Sequence, residues 1–229
     1  MVSTPSQDFN LSTPATSRPQ VVLVHGLFMG RPAMLYLAKR LHRDGFNVRC
    51  FAHNTITGSL KRNASRLAAF VGKGVGPTVL IGHSLGGLVS LQAAQTIPAE
   101  SLAAVVLLGS PYQGAQAGRK LHRLLGQRSA HVARALHEWA DLAAKPTVTV
   151  PVFTISGTRS SGLGRVICGF REPNDGTVTV AETQYPNAVA RVMPVSHTGM
   201  LFDHRVAEQV SAWVRPLMAG STSLSSIEG

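Results

Sequence analysis

The stretch of this chain best suited to chemistry is Gly82-His83-Ser84-Leu85-Gly86. It follows the apolar, β-branched run Val79-Leu80-Ile81, and a helix-compatible run begins at Gly86. A serine in a G-x-S-x-G pattern between a strand and a helix is a nucleophile elbow. The turn is too sharp for side chains on either flank, so glycines stand there and remove the colliding Cβ atoms. Gly82 and Gly86 fill those positions, and Gly87 lets the helix lie close to the sheet. The elbow holds the Ser84 hydroxyl clear of the backbone, with a helix N-terminus behind it that favours developing negative charge. The pentapeptide alone also suits a glycine-rich turn with an incidental serine; the strand before it and the helix after it argue for the elbow. Serine is a poor nucleophile until a base takes its proton. The rest of the chain must therefore supply a base, an acid to orient it, and N–H donors for an oxyanion.

The elements that would position these groups alternate between strand and helix. Val21-Val22-Leu23-Val24 is a continuous apolar run, as expected of a strand buried on both faces, and it ends in His25-Gly26-Leu27-Phe28-Met29-Gly30. Residues 31–43 carry Met34, Leu37, Ala38 and Leu41 at helical spacing and stop at Gly45. A strand is expected over 46–52, and a helix over 60–71 with Leu60, Ala64, Leu67, Ala68 and Val71 on one face. Gly72, Gly74 and Gly76 precede a strand rather than follow one, so they form a turn and not a dinucleotide loop. A helix over 86–96 and strands over 102–108, 151–156 and 189–195 follow, with a Gly- and Ser-rich loop over 157–169 and an amphipathic helix over 199–217. Such alternation implies parallel βαβ units in a doubly wound α/β fold with helices on both faces.

Three segments stand apart. Residues 1–19 are rich in Ser, Thr and Pro and are expected to form a flexible leader to a domain over 20–218; residues 219–229 are expected to be a frayed tail. Residues 114–144 are helical in pattern, with Leu121, Leu125, Leu136 and Trp139 near one face and Arg119, Lys120, Arg123, Arg128 and Arg134 on much of the other. They admit two readings: a core-packed helix pair with a solvated basic face, or a small helical cap whose apolar underside covers the site.

Composition bounds the partners. At 229 residues and 44% hydrophobic, the chain suits one domain with a sizeable core. The formal charge of +11 is spread along the chain without the aromatic interleaving that stacks bases, so nucleic acid is not an expected partner; weak contact with an anionic membrane surface is. No apolar stretch is long enough to span a bilayer. Residues 1–20 have neither the basic nor the apolar region of a secretory signal, so a cytoplasmic location is expected, with Cys50 and Cys168 reduced and outside any metal spacing. Neither a metal nor a cofactor is called for, and the sequence leaves the oligomeric state open.

Four separated motifs, in order, resemble the α/β-hydrolase family, in particular small bacterial lipases and esterases. They are His25-Gly26-Leu27, Gly82-His83-Ser84-Leu85-Gly86, Asn174-Asp175-Gly176-Thr177-Val178 and Ser196-His197-Thr198-Gly199, and the resemblance spans residues 20–217. The chain order nucleophile, acid, histidine is the one expected of that fold.

Reading the residues one by one agrees with that order. Of nine histidines, His25 and His83 lie in motif turns, His42, His122, His131 and His137 lie amid basic helical residues, and His204 lies in the final helix. His53 follows a strand and is a weak rival; His197 stands in a short loop after the last strand, at the sheet edge where sites form, and is the expected base. Asp175 lies where the resemblance places the acid; an Asn-Asp-Gly turn is the bland alternative, and Glu172 is the reserve. Asp203 follows His197 too closely to orient it from behind. The resemblance implies the backbone N–H groups of Leu27 and Leu85 as the oxyanion hole. Leu27, Phe28, Met29, Leu85, Met200 and Leu201 are expected to wall an apolar acyl pocket. The implied activity is hydrolysis of carboxylic esters with hydrophobic acyl chains, through an acyl-enzyme. An acyltransferase or thioesterase would share the triad, and a catalytically silent binding protein would be expected to have lost part of it.

Overall fold

A computed structural model describes residues 19–74, 76–114, 134–160 and 172–220. Its strands are β1 (Gln20–Val24), β2 (Asn47–Phe51), β3 (Thr78–His83), β4 (Leu102–Leu108), β5 (Val152–Gly157) and β6 (Val189–Met193). Its α-helices are α1 (Leu35–Arg43), α2 (Leu60–Val71), α3 (Leu85–Ala94), α4 (Arg134–Ala140) and α5 (His204–Gly220). The strands form one sheet in the order β2-β1-β3-β4-β5-β6, and every pairing is parallel.

Alternation along the strands builds two cores. Val21, Leu23, Val79, Ile81, Val106 and Phe153 face one side, where Leu37 and Leu41 of α1 and Val206, Val210 and Val214 of α5 cover them. Val22, Val24, Leu80, Val105, Leu107 and Val152 face the other, under Leu67 of α2, Leu88 of α3 and Trp139 of α4. The side-chain period of two in a strand forces this split. Strands β1, β3 and β5 are buried along their whole length; β1 and β3 accordingly carry continuous apolar runs, whereas β5 buries Thr154 and Ser156 among its apolar residues.

The chain leaves β1 for β2 on one side and returns to place β3 on the other. Accordingly, α1 packs on one face and α3 on the opposite one. The carboxyl ends of β1 and β3 thus flank the point where the winding reverses. A crevice opens there in open α/β sheets, because the loops leaving the two strands diverge. His25-Gly26-Leu27 and Ser84 sit at those two strand ends.

The sequence boundaries hold where the apolar period is strong, as in α2 and β4, and shift where local capping intervenes. Residues 31–34 form a 3₁₀ turn with Pro32 in its first positions before α1 begins. Strand β6 stops at Met193 because Pro194 has no N–H to offer the ladder. The helix expected over 199–217 is instead a 3₁₀ turn, Gly199–Leu201, followed by α5. Asp203 starts α5 by accepting the Arg205 N–H at 2.9 Å, an N-cap the helical pattern conceals.

The expected cap falls partly outside the described residues, Leu121 and Leu125 among them. The described part, α4, packs as core. Trp139 is 1% exposed, its Nε1–H donates to the Tyr112 carbonyl at 2.9 Å, and its ring meets Tyr112 edge-on at 5.9 Å. Leu136 packs against the same cluster. Glu138 accepts the Leu60 N–H, joining α4 to the start of α2, while Lys145 donates to the Trp139, Ala140 and Leu142 carbonyls at the end of α4. Replacing Trp139 with alanine should therefore cost about 3–5 kcal/mol by denaturant unfolding, as for other buried Trp truncations.

Candidate active site

The residue at the carboxyl end of β3 carries a backbone conformation that side chains rarely adopt. Ser84 has φ 53° and ψ −122°, in a region that costs roughly 1–3 kcal/mol for a non-glycine residue. The surroundings hold it there. Its N–H donates to the Leu108 carbonyl at 2.8 Å, and its carbonyl accepts the Gly87 N–H at 3.0 Å. The flanking glycines permit the approach: a Cβ on Gly82 would lie 2.4 Å from the Gly87 Cα, and one on Gly86 would lie 2.1 Å from the Val24 carbonyl oxygen. These contacts place the first turn of α3 against the end of β1.

The loop after β1 therefore abuts the elbow. A Cβ on Gly26 would meet the Ser84 Cβ at 3.1 Å. Leu27 follows, half-buried, and Leu85 opens α3, so its N–H is one of the first-turn donors that have no partner within the helix. Phe28 has φ 56° and is 61% exposed, and Met29 is half-buried. Met200 and Leu201, expected as pocket walls, are instead fully buried in the core, because the 3₁₀ turn Gly199–Leu201 folds them inward.

Asp175 and His197 meet beside β4. The His197 Nδ1 donates to the Asp175 Oδ2 at 2.7 Å, and the His197 N–H donates to the Asp175 carbonyl at 2.9 Å. Asp175 is fully buried, and its Oδ1 accepts the Thr177 and Val178 N–H groups at 2.9 and 2.8 Å. The Asn-Asp-Gly turn is real, and it serves to aim the carboxylate. Glu172 is exposed, and its main-chain carbonyl accepts from the Asn174 side chain. Gly109, next to the Leu108 carbonyl that holds Ser84, makes room for the pair: a Cβ there would lie 3.1 Å from Asp175 Oδ2 and 3.2 Å from His197 Nδ1.

Gly109 and Glu182 escape a reading by motif. Nothing in Leu108-Gly109-Ser110 distinguishes that glycine from one ending any strand. Glu182 carried a signal in Thr179-Val180-Ala181-Glu182, the pattern of a capping box. The Glu182 Oε2 accepts the Thr179 N–H at 2.9 Å, and the Thr179 hydroxyl accepts the Glu182 N–H at 3.2 Å. That reciprocal pair braces the segment immediately after Asp175.

Three further histidines are buried around the elbow. His53 donates Nε2–H to the His25 carbonyl at 2.9 Å and stacks on the His25 ring at 4.5 Å, so it builds the loop after β1 rather than competing as base. His25 itself donates Nδ1–H to the Gly26 carbonyl at 3.1 Å. His83 donates Nε2–H to the His197 carbonyl at 2.9 Å. Burial, chiefly, lowers the pKa of all three, to about 4 for His53 and about 3 for His83. Near neutral pH they are uncharged rings, each with one N–H and one bare nitrogen. Among the described residues no group of three His, Cys, Asp or Glu side chains is placed to hold a metal ion. No described helix is long and apolar enough to cross a membrane. Cys50 is a half-buried free thiol whose pKa burial raises, and Cys168 lies outside the described residues.

Known proteins of the same shape bear on this arrangement. The mature form of the Bacillus licheniformis lipase BlEst2 superposes with a TM-score of 0.69 at 21% identity, covering 90% of this chain and 94% of that one. A Pyrococcus furiosus esterase superposes with a TM-score of 0.59 at 16% identity, covering 89% and 82%. Polyneuridine aldehyde esterase does so with a TM-score of 0.60 at 14% identity, covering 87% and 100%. At such identities these likenesses establish the fold. No curated protein matches the chain in sequence. The model of the alpha/beta hydrolase family matches residues 21–221, nearly the whole of the described chain, and with the parallel sheet and the strained serine at its winding reversal, the protein belongs to that family.

Proposed function

We propose that this protein is a serine hydrolase that cleaves carboxylic esters, with Ser84 as nucleophile, His197 as base and Asp175 as the orienting acid. The observation that carries the reading is the buried 2.7 Å contact between Asp175 and His197, in a fold that holds Ser84 in a strained turn at the crevice. Because Nδ1–H is committed to Asp175, Nε2 is the nitrogen left bare to take the Ser84 proton.

The steps follow from those roles. Ser84 Oγ attacks the ester carbonyl as His197 Nε2 takes its proton, and the tetrahedral oxyanion accepts from the Leu27 and Leu85 N–H groups. The imidazolium, stabilised by the Asp175 carboxylate, gives its proton to the departing alcohol oxygen. Water, deprotonated by the same nitrogen, then attacks the acyl carbon; the bond to Ser84 Oγ breaks, Nε2 returns its proton to that oxygen, and the acid leaves. Phe28, exposed in the loop after β1, and the half-buried Met29 beside it are apolar and favour a hydrophobic acyl chain over a charged one. The lipase and esterases among the structures of the same shape act on bonds of that kind, as their names state, and support ester chemistry here.

A fluorophosphonate probe should label the wild-type protein covalently. Ser84→Ala should abolish that labelling and lower ester turnover by on the order of 10⁶ with the fold intact. Retention of more than about a tenth of wild-type activity would remove Ser84 as nucleophile. Asp175→Asn should lower turnover by roughly 10³ or more, because the imidazole loses the group that orients it, while Glu172→Gln should be nearly silent. The reverse ranking would move the acid to Glu172. A chain-length series of nitrophenyl esters, with an emulsified triglyceride, should show a preference for longer acyl groups; a preference for acetate would count against the hydrophobic acyl chain.

A further inference from the structure

We infer that His83, the residue before the nucleophile, is a positioning residue: its side chain ties the main chain of the base to the elbow. The inference rests on the reading of Ser84 as nucleophile and His197 as base. His83 is fully buried at the end of β3, where a sheet residue facing a helix layer would ordinarily be apolar. Its Nε2 lies 2.9 Å from the His197 carbonyl oxygen. A carbonyl only accepts, so Nε2 carries the proton and Nδ1 is bare. That Nδ1 has no hydrogen-bond partner, and a Cβ on Gly26 would lie 2.9 Å from it. The ring also packs on the His197 ring, with centroids 4.7 Å apart at 48°. One imidazole is thus hydrogen-bonded to the loop that carries the base and belongs to the residue peptide-bonded to Ser84, and it leaves no room for a side chain at Gly26, in the loop that carries Leu27.

The consequence is a division of labour in holding His197. Asp175 takes two of its groups, the ring Nδ1–H and the main-chain N–H. Both contacts relate the base to the acid, and neither relates it to the nucleophile. The third contact, from His83 to the His197 carbonyl, comes from the strand that ends in Ser84. A displacement of about 1 Å between reacting groups can cost about a hundredfold in rate, so the residue that sets this spacing governs turnover without touching substrate.

Neutrality is part of the device. The titratable groups that act on His83 are His197, Asp175 and His25; burial and the two histidines disfavour its charged form more than Asp175 favours it. A cation beside His197 would oppose the imidazolium that forms during turnover. A neutral ring supplies the N–H without that penalty.

The test compares the wild-type protein with His83→Leu, which fills the space and has no donor, and His83→Gln, which keeps an N–H donor. Fluorophosphonate inactivation and nitrophenyl ester kinetics are measured across pH, with melting temperatures alongside. His83→Leu should react about ten- to a hundredfold more slowly with the probe, with KM within about twofold, and His83→Gln should recover most of the rate. Independently of any variant, nitrogen-resolved NMR of the wild-type histidines should find His83 in the neutral Nε2–H form throughout about pH 5–8. Wild-type reactivity in folded His83→Leu would overturn the inference, as would a glutamine variant no better than the leucine one. Should His83→Leu not fold, a His83 in the Nδ1–H form, or one that titrates near pH 6, overturns it equally. A wild-type protein that does not react with the probe removes the nucleophile reading itself, a result distinct from all of these.

Discussion

A close approach between two pieces of backbone decides where everything else in this molecule must go. The start of α3 lies so near the end of β1 that a Cβ on Gly86 would sit 2.1 Å from the Val24 carbonyl oxygen. With no side chain there, the helix can begin directly against the neighbouring strand. The chain must then turn at Ser84 in a conformation that serine alone would avoid. Parallel pairing of β1 with β3 supplies the lateral register, and the Leu108 carbonyl on β4 supplies the brace from the other side. The strain is local, and the packing of three adjacent buried strands offsets it.

The second constraint is electrostatic. A fully buried carboxylate needs donors, and Asp175 finds two N–H groups in its own turn and one on His197. These bonds satisfy the buried carboxylate and fix which nitrogen of His197 is left bare. The capping box of Thr179 and Glu182 holds the chain just beyond that turn. Gly109 keeps the space between the pair and the sheet open. Asp175 thus depends on features four to seven residues away as well as on distant strands.

Legibility in the sequence followed how local the cause was. The elbow could be read because its glycines answer a steric demand within five residues. Helix α2 and strand β4 could be read because one period of apolar residues governs each. The family, and with it the whole sheet, was within reach through four spaced motifs. The break between the 3₁₀ turn and α5 was missed because Asp203 looks like any polar residue in an amphipathic pattern, and only its bond to the Arg205 N–H reveals a cap. Met200 and Leu201 illustrate the same point: the short turn Gly199–Leu201 buries both side chains, and nothing in an amphipathic pattern marks where a helix gives way to such a turn. Gly109 and the three neutral histidines depend on what folds against them from far along the chain, and no window of sequence contains that information.

Those histidines also couple the fold to protons. An imidazole in the unfolded chain takes up a proton near pH 6.5, whereas burial holds His53 to about 4 and His83 to about 3 and lowers His25 as well. The native state therefore binds fewer protons than the unfolded one throughout the interval between these values. Above pH 6.5 the two states are equally deprotonated at these sites and nothing is lost. As pH falls below it, each such site draws the equilibrium toward the unfolded chain by up to about 1.4 kcal/mol per pH unit, until its folded value is reached. The same buried rings that shape the elbow and its neighbouring loops therefore favour the unfolded chain in acid, in an interval set by the interior of the protein.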